Sequence, residues 1–423
     1  MFQRQGATAF KKDLTNIHRL CKYLGNPQDK FKSIHIAGTN GKGTTAHILS
    51  AIYQASGLKV GVYTSPHYFD IRERIKIGNK LMSKQALIDF VEKLKPVLQE
   101  IKPSFFEMMV AMAFDYFSQQ GVDLAIIETG LGGRLDSTNV LNPVLSVITN
   151  IGYDHQDMLG DTLVEIAAEK AGIIKQGVPV VIGQKQKEVE EVFKLTADSL
   201  DADISFADDN WSYKIHEENL DGYLLDLVEN NQVMFHMLQV DLKGKVLLKN
   251  LLTAIQTIQV WNKEQSYIGP HHIMMALNDI KRSTYFLGRM EVISKSPLII
   301  ADSAHNEDGL SALFEHVARI EFKKLHIVYG MVSDKPLSKL IHLLPKDAQY
   351  YAVQAKIPRA KSSAKLHDEF KSAGLSVVDA GSVEMGKKMA ITGANPEDLL
   401  LICGSIFVLA EIRELALSLE QEE

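Results

Sequence analysis

The apolar, β-branched run Ser33–Ala37 passes directly into Gly38-Thr39-Asn40-Gly41-Lys42-Gly43-Thr44-Thr45, and a helical pattern follows over Ala46–Ser56. Strand, glycine-rich loop and helix in that order turn backbone N–H groups and a helix N-terminus toward one point, where phosphate oxygens are stabilised. Lys42 would neutralise the terminal phosphates of a nucleotide, and Thr44 would offer its hydroxyl to Mg²⁺. The spacing departs from the usual phosphate loop, because Gly43 separates Lys42 from Thr44 and the first interval is short. A tight turn without a ligand is the plain alternative, and phosphate binding is the reading taken here.

Such a loop belongs to an α/β fold, and the flanking sequence agrees. Val60–Tyr63, Leu124–Glu128 and Val144–Thr149 are further strand candidates, separated by amphipathic helical stretches at Lys84–Gln99 and Glu107–Gln119. Alternation of this kind predicts a largely parallel sheet. From about 180 to 242 the chain is more acidic, and Gly222–Val240 reads as two alternating strands around Glu229-Asn230-Asn231, a small antiparallel insert. A second series near Glu291 supplies strands at Leu298–Ala301, Leu325–Tyr329, Gln349–Val353 and Leu399–Cys403. With 423 residues, two α/β domains are expected, 1–287 around the loop and a Rossmann-like 288–423.

Charge and cysteine content narrow the function. A net charge of −6 argues against a nucleic-acid binder. Two cysteines, Cys21 and Cys403, cannot build a metal cluster or disulfide framework, which points to a reducing compartment. The polar N-terminus has no signal-peptide core, and no apolar stretch is long enough to span a membrane. A cytoplasmic protein follows as the expectation.

Three places carry chemistry on their own residues. Glu128 ends an apolar strand, Leu124-Ala125-Ile126-Ile127, where a carboxylate would emerge beside the loop as a hard ligand for Mg²⁺ or as a partner for Arg134. Thr162-Leu163-Val164-Glu165 has capping-box spacing, and Leu163, Ile166, Ala167 and Lys170 then share one helical face. Lys170 thus lies on a buried stripe, where an unpaired ammonium is costly and a snorkelling side chain or a salt bridge is the bland solution. Ser104-Phe105-Phe106-Glu107 is another capping box, whose two rings would also suit a flat heterocycle.

The loop, with Ser65-Pro66-His67, Glu128 through Asn139, Asn150 through His155, Glu169 through Ile173, Gly288-Arg289 and Asp302 through Asn306, resembles the folylpolyglutamate synthase/dihydrofolate synthase branch of the Mur ligase superfamily. The resemblance runs from about residue 33 to 407. It implies an ATP-dependent ligase that phosphorylates a pteroate or folate carboxylate and lets the amine of L-glutamate displace phosphate. It implies nucleotide contacts at Gly41, Lys42, Gly43, Thr44, Asn250, Arg289 and Asp302, and metal ligation by Thr44, Ser65, Glu128 and His155. Lys42, Lys170 and His305 become the catalytic candidates, with Lys170 carbamylated and His305 near the acyl phosphate or the attacking amine. Arg289 would reach the phosphates on domain closure. Ser104, Phe105, Phe106, Glu107, Leu135, Asp136 and Ser137 would meet dihydropteroate. A monomer acting on small molecules alone is expected.

The pattern breaks at Val246-Leu247, where the family carries a His-Gln pair before the asparagine, and at Glu307, where proline is common. Two other functions compete: a superfamily ligase acting on another acid, disfavoured by Gly43, and a nucleotide-binding protein without ligase activity, invited by Val246-Leu247.

Overall fold

The computed structural model describes residues 13–333 and 336–412, apart from the side chain of Lys245. The described residues form two compact units, one of those up to Leu242 with Val246–Phe286, the other of Lys243–Lys245 with those from Leu287 onward.

The first unit is built on strands β1 (Lys32–Ala37), β2 (Val60–Tyr63), β3 (Ile75–Ile77), β4 (Lys80–Leu81), β5 (Leu124–Glu128), β6 (Leu145–Ile148), β7 (Val180–Ile182) and β8 (Ile204–Phe206). Their order is β4-β3-β2-β5-β1-β6-β7-β8, with parallel pairing throughout except at one edge, where β3 runs antiparallel to both β2 and β4. Apart from the exposed Lys32 at the start of β1, the central strands are buried along their length, as expected when helices cover both faces of a parallel sheet. Alternate residues divide between the faces. Ile34, Ile36, Leu124 and Ile126 join one apolar cluster with helices Lys42–Ala55 and Lys245–Glu264. Ala125 and Ile127 face helices Lys84–Ile101 and Phe105–Gln120 on the other side.

The insert differs from the expectation. Val180–Ile182 and Ile204–Phe206 extend the parallel sheet. The antiparallel part begins only at Trp211 and has three strands: β9 (Trp211–Asn219), β10 (Gly222–Glu229) and β11 (Gln232–Val240). The overlooked strand, β9, buries Trp211 and half-buries Tyr213 and Ile215 while exposing the polar residues between them. Its period of two is masked by its charge.

The second unit contains β12 (Glu291–Lys295), β13 (Leu298–Ala301), β14 (Leu325–Tyr329), β15 (Gln349–Gln354), β16 (Ser376–Ser382) and β17 (Leu399–Cys403), in the order β12-β13-β17-β14-β15-β16. Only β12 is antiparallel. Its core, with Ile300, Ile327, Tyr350 and Leu401, is its own. Among the described residues no helix is long and apolar enough to cross a membrane.

Candidate active site

β1 lies at the point where the strand order of the first sheet reverses, with β5 on one side and β6 on the other. Ligands of open α/β sheets collect in the crevice at such a point. The chain leaves β1 at Ala37 and enters the helix at Lys42, earlier than the expected Ala46, so Lys42, Gly43 and Thr44 form its first turn. Gly41 is the residue before that turn, with φ of 85°, and a Cβ there would lie 2.1 Å from Asn250 Oδ1. Only glycine satisfies both conditions. The exit of β6 braces the loop: Thr39 N and Asn40 N donate to Asn150 O and Oδ1, each at 2.9 Å, and Thr149 Oγ1 donates to Asn40 O at 2.6 Å. Lys42 Nζ donates to Gly38 O at 3.0 Å and Thr39 O at 3.3 Å.

Glu128, at the end of β5, is buried, and its Oε2 accepts from Ser65 N at 3.1 Å. The same carboxylate faces the first helical turn, where a Cβ on Gly43 would lie 3.5 Å from Oε2, and Thr44 in that turn is buried. Arg134, the alternative partner for Glu128, pairs with Glu169 at 2.7 Å instead. Lys170 is buried on the helix Leu163–Ala171 beside Ile166 and Ala167, Leu163 being only half-buried, and Thr162 and Glu165 form the capping box. Lys170 neither snorkels nor relies on a direct carboxylate contact for its hydrogen bond: its Nζ donates to Gly38 O at 2.9 Å. Burial, and next the charge of Lys42, lower its pKa to about 7, while Asp154 and Asp136 oppose the shift. His155 is half-exposed, with φ of 52° and Nε2 3.9 Å from Asp154 Oδ2.

A second group lies beyond β5. Ser104 and Glu107 cap the helix Phe105–Gln120 reciprocally, and Glu107 Oε2 also accepts from Asn16 Nδ2 at 3.3 Å. Their polar atoms therefore serve the helix first. The tip of the Phe106 ring lies against Gly130, where a Cβ would come within 2.4 Å of Cζ. Phe105 carries the Arg74 guanidinium 5.4 Å above its ring, and Arg74 Nε donates to His67 Nδ1 at 2.8 Å. The buried Asp136 carboxylate accepts from Gly130 N, Leu131 N and Thr138 N, each at 2.9 Å. It shapes the loop from its interior, while Leu135 and Ser137 on either side are partly exposed. The structure thus joins the Phe106 stretch and the Leu135–Ser137 loop through Gly130.

In the second unit Asp302, just past β13, accepts from Met290 N at 2.9 Å and Ala304 N at 2.8 Å. This holds the turn that carries Arg289, which is partly exposed between Gly288 (φ 70°) and Met290 (φ 46°). His305 Nδ1 lies 3.0 Å from Ser303 O, and Asn306 caps the helix Glu307–Val317.

Asn150 and Asp154 lie in a matched motif that assigns them no role, and Lys76 lies in none. Lys76 is buried, with Nζ 3.1 Å from Thr284 O and 3.2 Å from His47 Nε2. Burial brings its pKa to about 7 against the pull of Glu73 and Glu128. No short sequence pattern marks it, because its contact with Thr284 joins residues 208 positions apart and that with His47 joins residues 29 apart. Leu247 is buried in the core with Leu248 and Leu251, so an apolar residue at this departure from the family is explained by packing.

The Mur ligase middle domain family matches residues 36–258, and the Mur ligase glutamate ligase domain family matches 288–406. A dihydrofolate synthase/folylpolyglutamate synthase of Bacillus subtilis is 32% identical over 96% of this chain and 95% of its own length. The chain belongs to this folate branch of the Mur ligase family. A probable bifunctional folylpolyglutamate synthase/dihydropteroate synthase of Haloferax volcanii is also 32% identical, over 94% of this chain, which spans only 48% of that longer protein. The solved bifunctional folylpolyglutamate synthase/dihydrofolate synthase of Yersinia pestis, complexed with AMPPNP and Mn ion, superposes with a TM-score of 0.85 at 27% identity, covering 99% of this chain and 96% of that one. The two family domains fall on the two α/β units.

Proposed function

We propose that this folate-branch ligase uses ATP to join the amine of L-glutamate to the carboxylate of dihydropteroate and of folates that already carry glutamate, releasing ADP and phosphate. The observation that carries the reading is the gathering of the glycine-rich loop, Glu128 and Lys170 at the carboxyl ends of β1 and β5. A carboxylate oxygen is a poor leaving group, so the γ-phosphoryl group is first transferred to it. The amine nitrogen then attacks the carbonyl carbon, the C–O bond to phosphate breaks, and the amine proton passes to a base, the role given to His305.

The residues fit a nucleotide and a divalent ion. The first turn of the helix Lys42–Ala55 presents unpaired N–H groups to phosphate, and Lys42 adds a cation. Asn250 Nδ2 is a buried donor without a hydrogen-bond partner beside the loop. Glu128, with Ser65, Thr44 and His155, supplies the oxygen-rich donor set that Mg²⁺ prefers. The ion, when bound, absorbs the charge that develops on the transferred phosphoryl group. Arg289 and Asp302 are assigned to the nucleotide by their motif match. A lysine held near 7 is substantially neutral at physiological pH and able to add to CO₂. Carbamylation of Lys170 would put a carboxylate-like group where an ammonium is costly. Leu135 and Ser137, on the loop that Asp136 holds, would face the pterin with Phe105 and Phe106 as the apolar surface, and Ser104 and Glu107 would fix those rings through the cap. A cytoplasmic location is consistent with two buried free thiols.

The test is ADP release from ATP, Mg²⁺ and L-glutamate with dihydropteroate or tetrahydrofolate as acceptor. Turnover with both establishes both activities, and turnover with one identifies the single activity. Release that neither acceptor stimulates overturns the folate assignment.

A further inference from the structure

The three-stranded sheet carries a second cluster of ligating side chains, away from the strands that form the candidate active site. In β10, Tyr223, Leu225 and Leu227 are buried in the apolar core, so Asp226, between two of them, emerges on the opposite face. A histidine flanks it from each neighbouring strand, and both reach it through irregular pairing. Leu224 pairs with Glu217 and Leu225 with Ile215, so His216 is the extra residue of a bulge in β9. Leu225 pairs with Leu238 and Leu227 with Phe235, so His236 and Met237 together oppose Asp226, and Met237 takes φ of 52°. Bulges re-aim side chains that a regular ladder would keep apart.

The result is convergent. His216 Nε2 lies 2.9 Å from Asp226 Oδ2, and His236 Nδ1 lies 3.0 Å from Asp226 Oδ1. One ligand atom from each of the three residues falls within 4.8 Å of the others. The imidazole planes stand at 82°, so they approach from two directions. Met237 N donates to Asp226 Oδ1 at 2.9 Å and orients the carboxylate, as outer hydrogen bonds do for metal ligands.

We propose that His216, Asp226 and His236 bind one divalent late-transition-metal ion, zinc foremost, as a clip across β9, β10 and β11. Two imidazole nitrogens and one carboxylate oxygen suit zinc and its neighbours, with water completing the shell. They suit Mg²⁺ poorly, since it prefers oxygen ligands in a strict octahedron. The site is therefore chemically distinct from the one that would serve the nucleotide. Binding to the folded sheet alone stabilises it by mass action.

The test uses the full chain, stripped by chelation and returned to millimolar Mg²⁺ without nucleotide. Calorimetric titration with zinc is expected to show one site with a Kd of about 1 µM or tighter. His236→Gln, at a side chain 73% exposed, is expected to weaken binding about 10-fold or more. His216→Gln with His236→Gln abolishes it. Zinc raises the Tm of the wild type and not of the double variant, while ADP release in Mg²⁺ stays unchanged in both. Circular dichroism without metal checks that the variants fold, and the single variant keeps the test decisive if the double one does not. Equal zinc binding by wild type and variants, or wild-type binding weaker than about 100 µM, overturns the proposal and leaves the three residues as a hydrogen-bonded triad.

Discussion

Lys76 and Lys170 are both buried in the first unit, and in both burial brings the pKa to about 7. For Lys76 this dictates a pH dependence. Below about pH 7 both folded and unfolded chains carry the proton, and the cost of burying the ammonium is fully present. Between about 7 and 10.5 the folded chain has released the proton while the unfolded chain retains it, so stability rises with pH. Denaturant unfolding of wild type and Lys76→Met across that range is expected to show a slope of at most about 1.4 kcal/mol per pH unit that the variant lacks. For Lys170 the reactive neutral amine matters more. Lys170→Met is expected to lower ADP release by about 100-fold or more, and a carbamate carbon signal from labelled bicarbonate should appear in the wild type alone. At Gly130 the contact with the Phe106 ring leaves no room for a Cβ. Gly130→Ala should raise the KM for dihydropteroate several-fold and leave the KM for ATP nearly unchanged.

Capping decides the position of two elements that bear on the site. The helix Leu163–Ala171 delivers Lys170 to Gly38 O, and the helix Phe105–Gln120 sets Phe105 and Phe106 beside Gly130. Both capping boxes were readable from Thr162-x-x-Glu165 and Ser104-x-x-Glu107, because local spacing alone makes them. Loss of either hydroxyl, in Thr162→Val or Ser104→Ala, is expected to cost about 1 kcal/mol in urea unfolding. Ser104→Ala also separates two roles: a lower stability with unchanged KM makes Ser104 a cap only, while a raised KM for dihydropteroate makes it a substrate contact as well. β9 was harder to recognise, since its inward Trp211, Tyr213 and Ile215 are interleaved with polar and charged residues and it becomes a strand by pairing with β10.

At the scale of the whole molecule, two units with separate apolar cores predict two unfolding transitions rather than one. An ATP analogue with Mg²⁺ should raise the transition of the unit carrying the glycine-rich loop, by about 2.7 kcal/mol at a hundredfold excess over Kd, and fluorescence and calorimetry together would resolve it. The sequence by itself determined the α/β class, nearly every central strand, the loop with Lys42 and Thr44, and the family. These depend on local hydrophobic period, glycine placement and motif order, all of which survive in one dimension. Tertiary structure decided the rest. It placed Glu128 on Ser65 rather than Arg134, moved the helix start to Lys42, spent Asp136 on its own loop and put Lys76 against Thr284. It also brought His216 and His236 to Asp226 through two bulges. The Glu128, Lys76 and histidine contacts join segments whose closeness is set by strand order and register, and neither quantity is written in any short stretch of the chain; the helix start and the Asp136 loop are local but depend on backbone geometry that residue type alone does not fix.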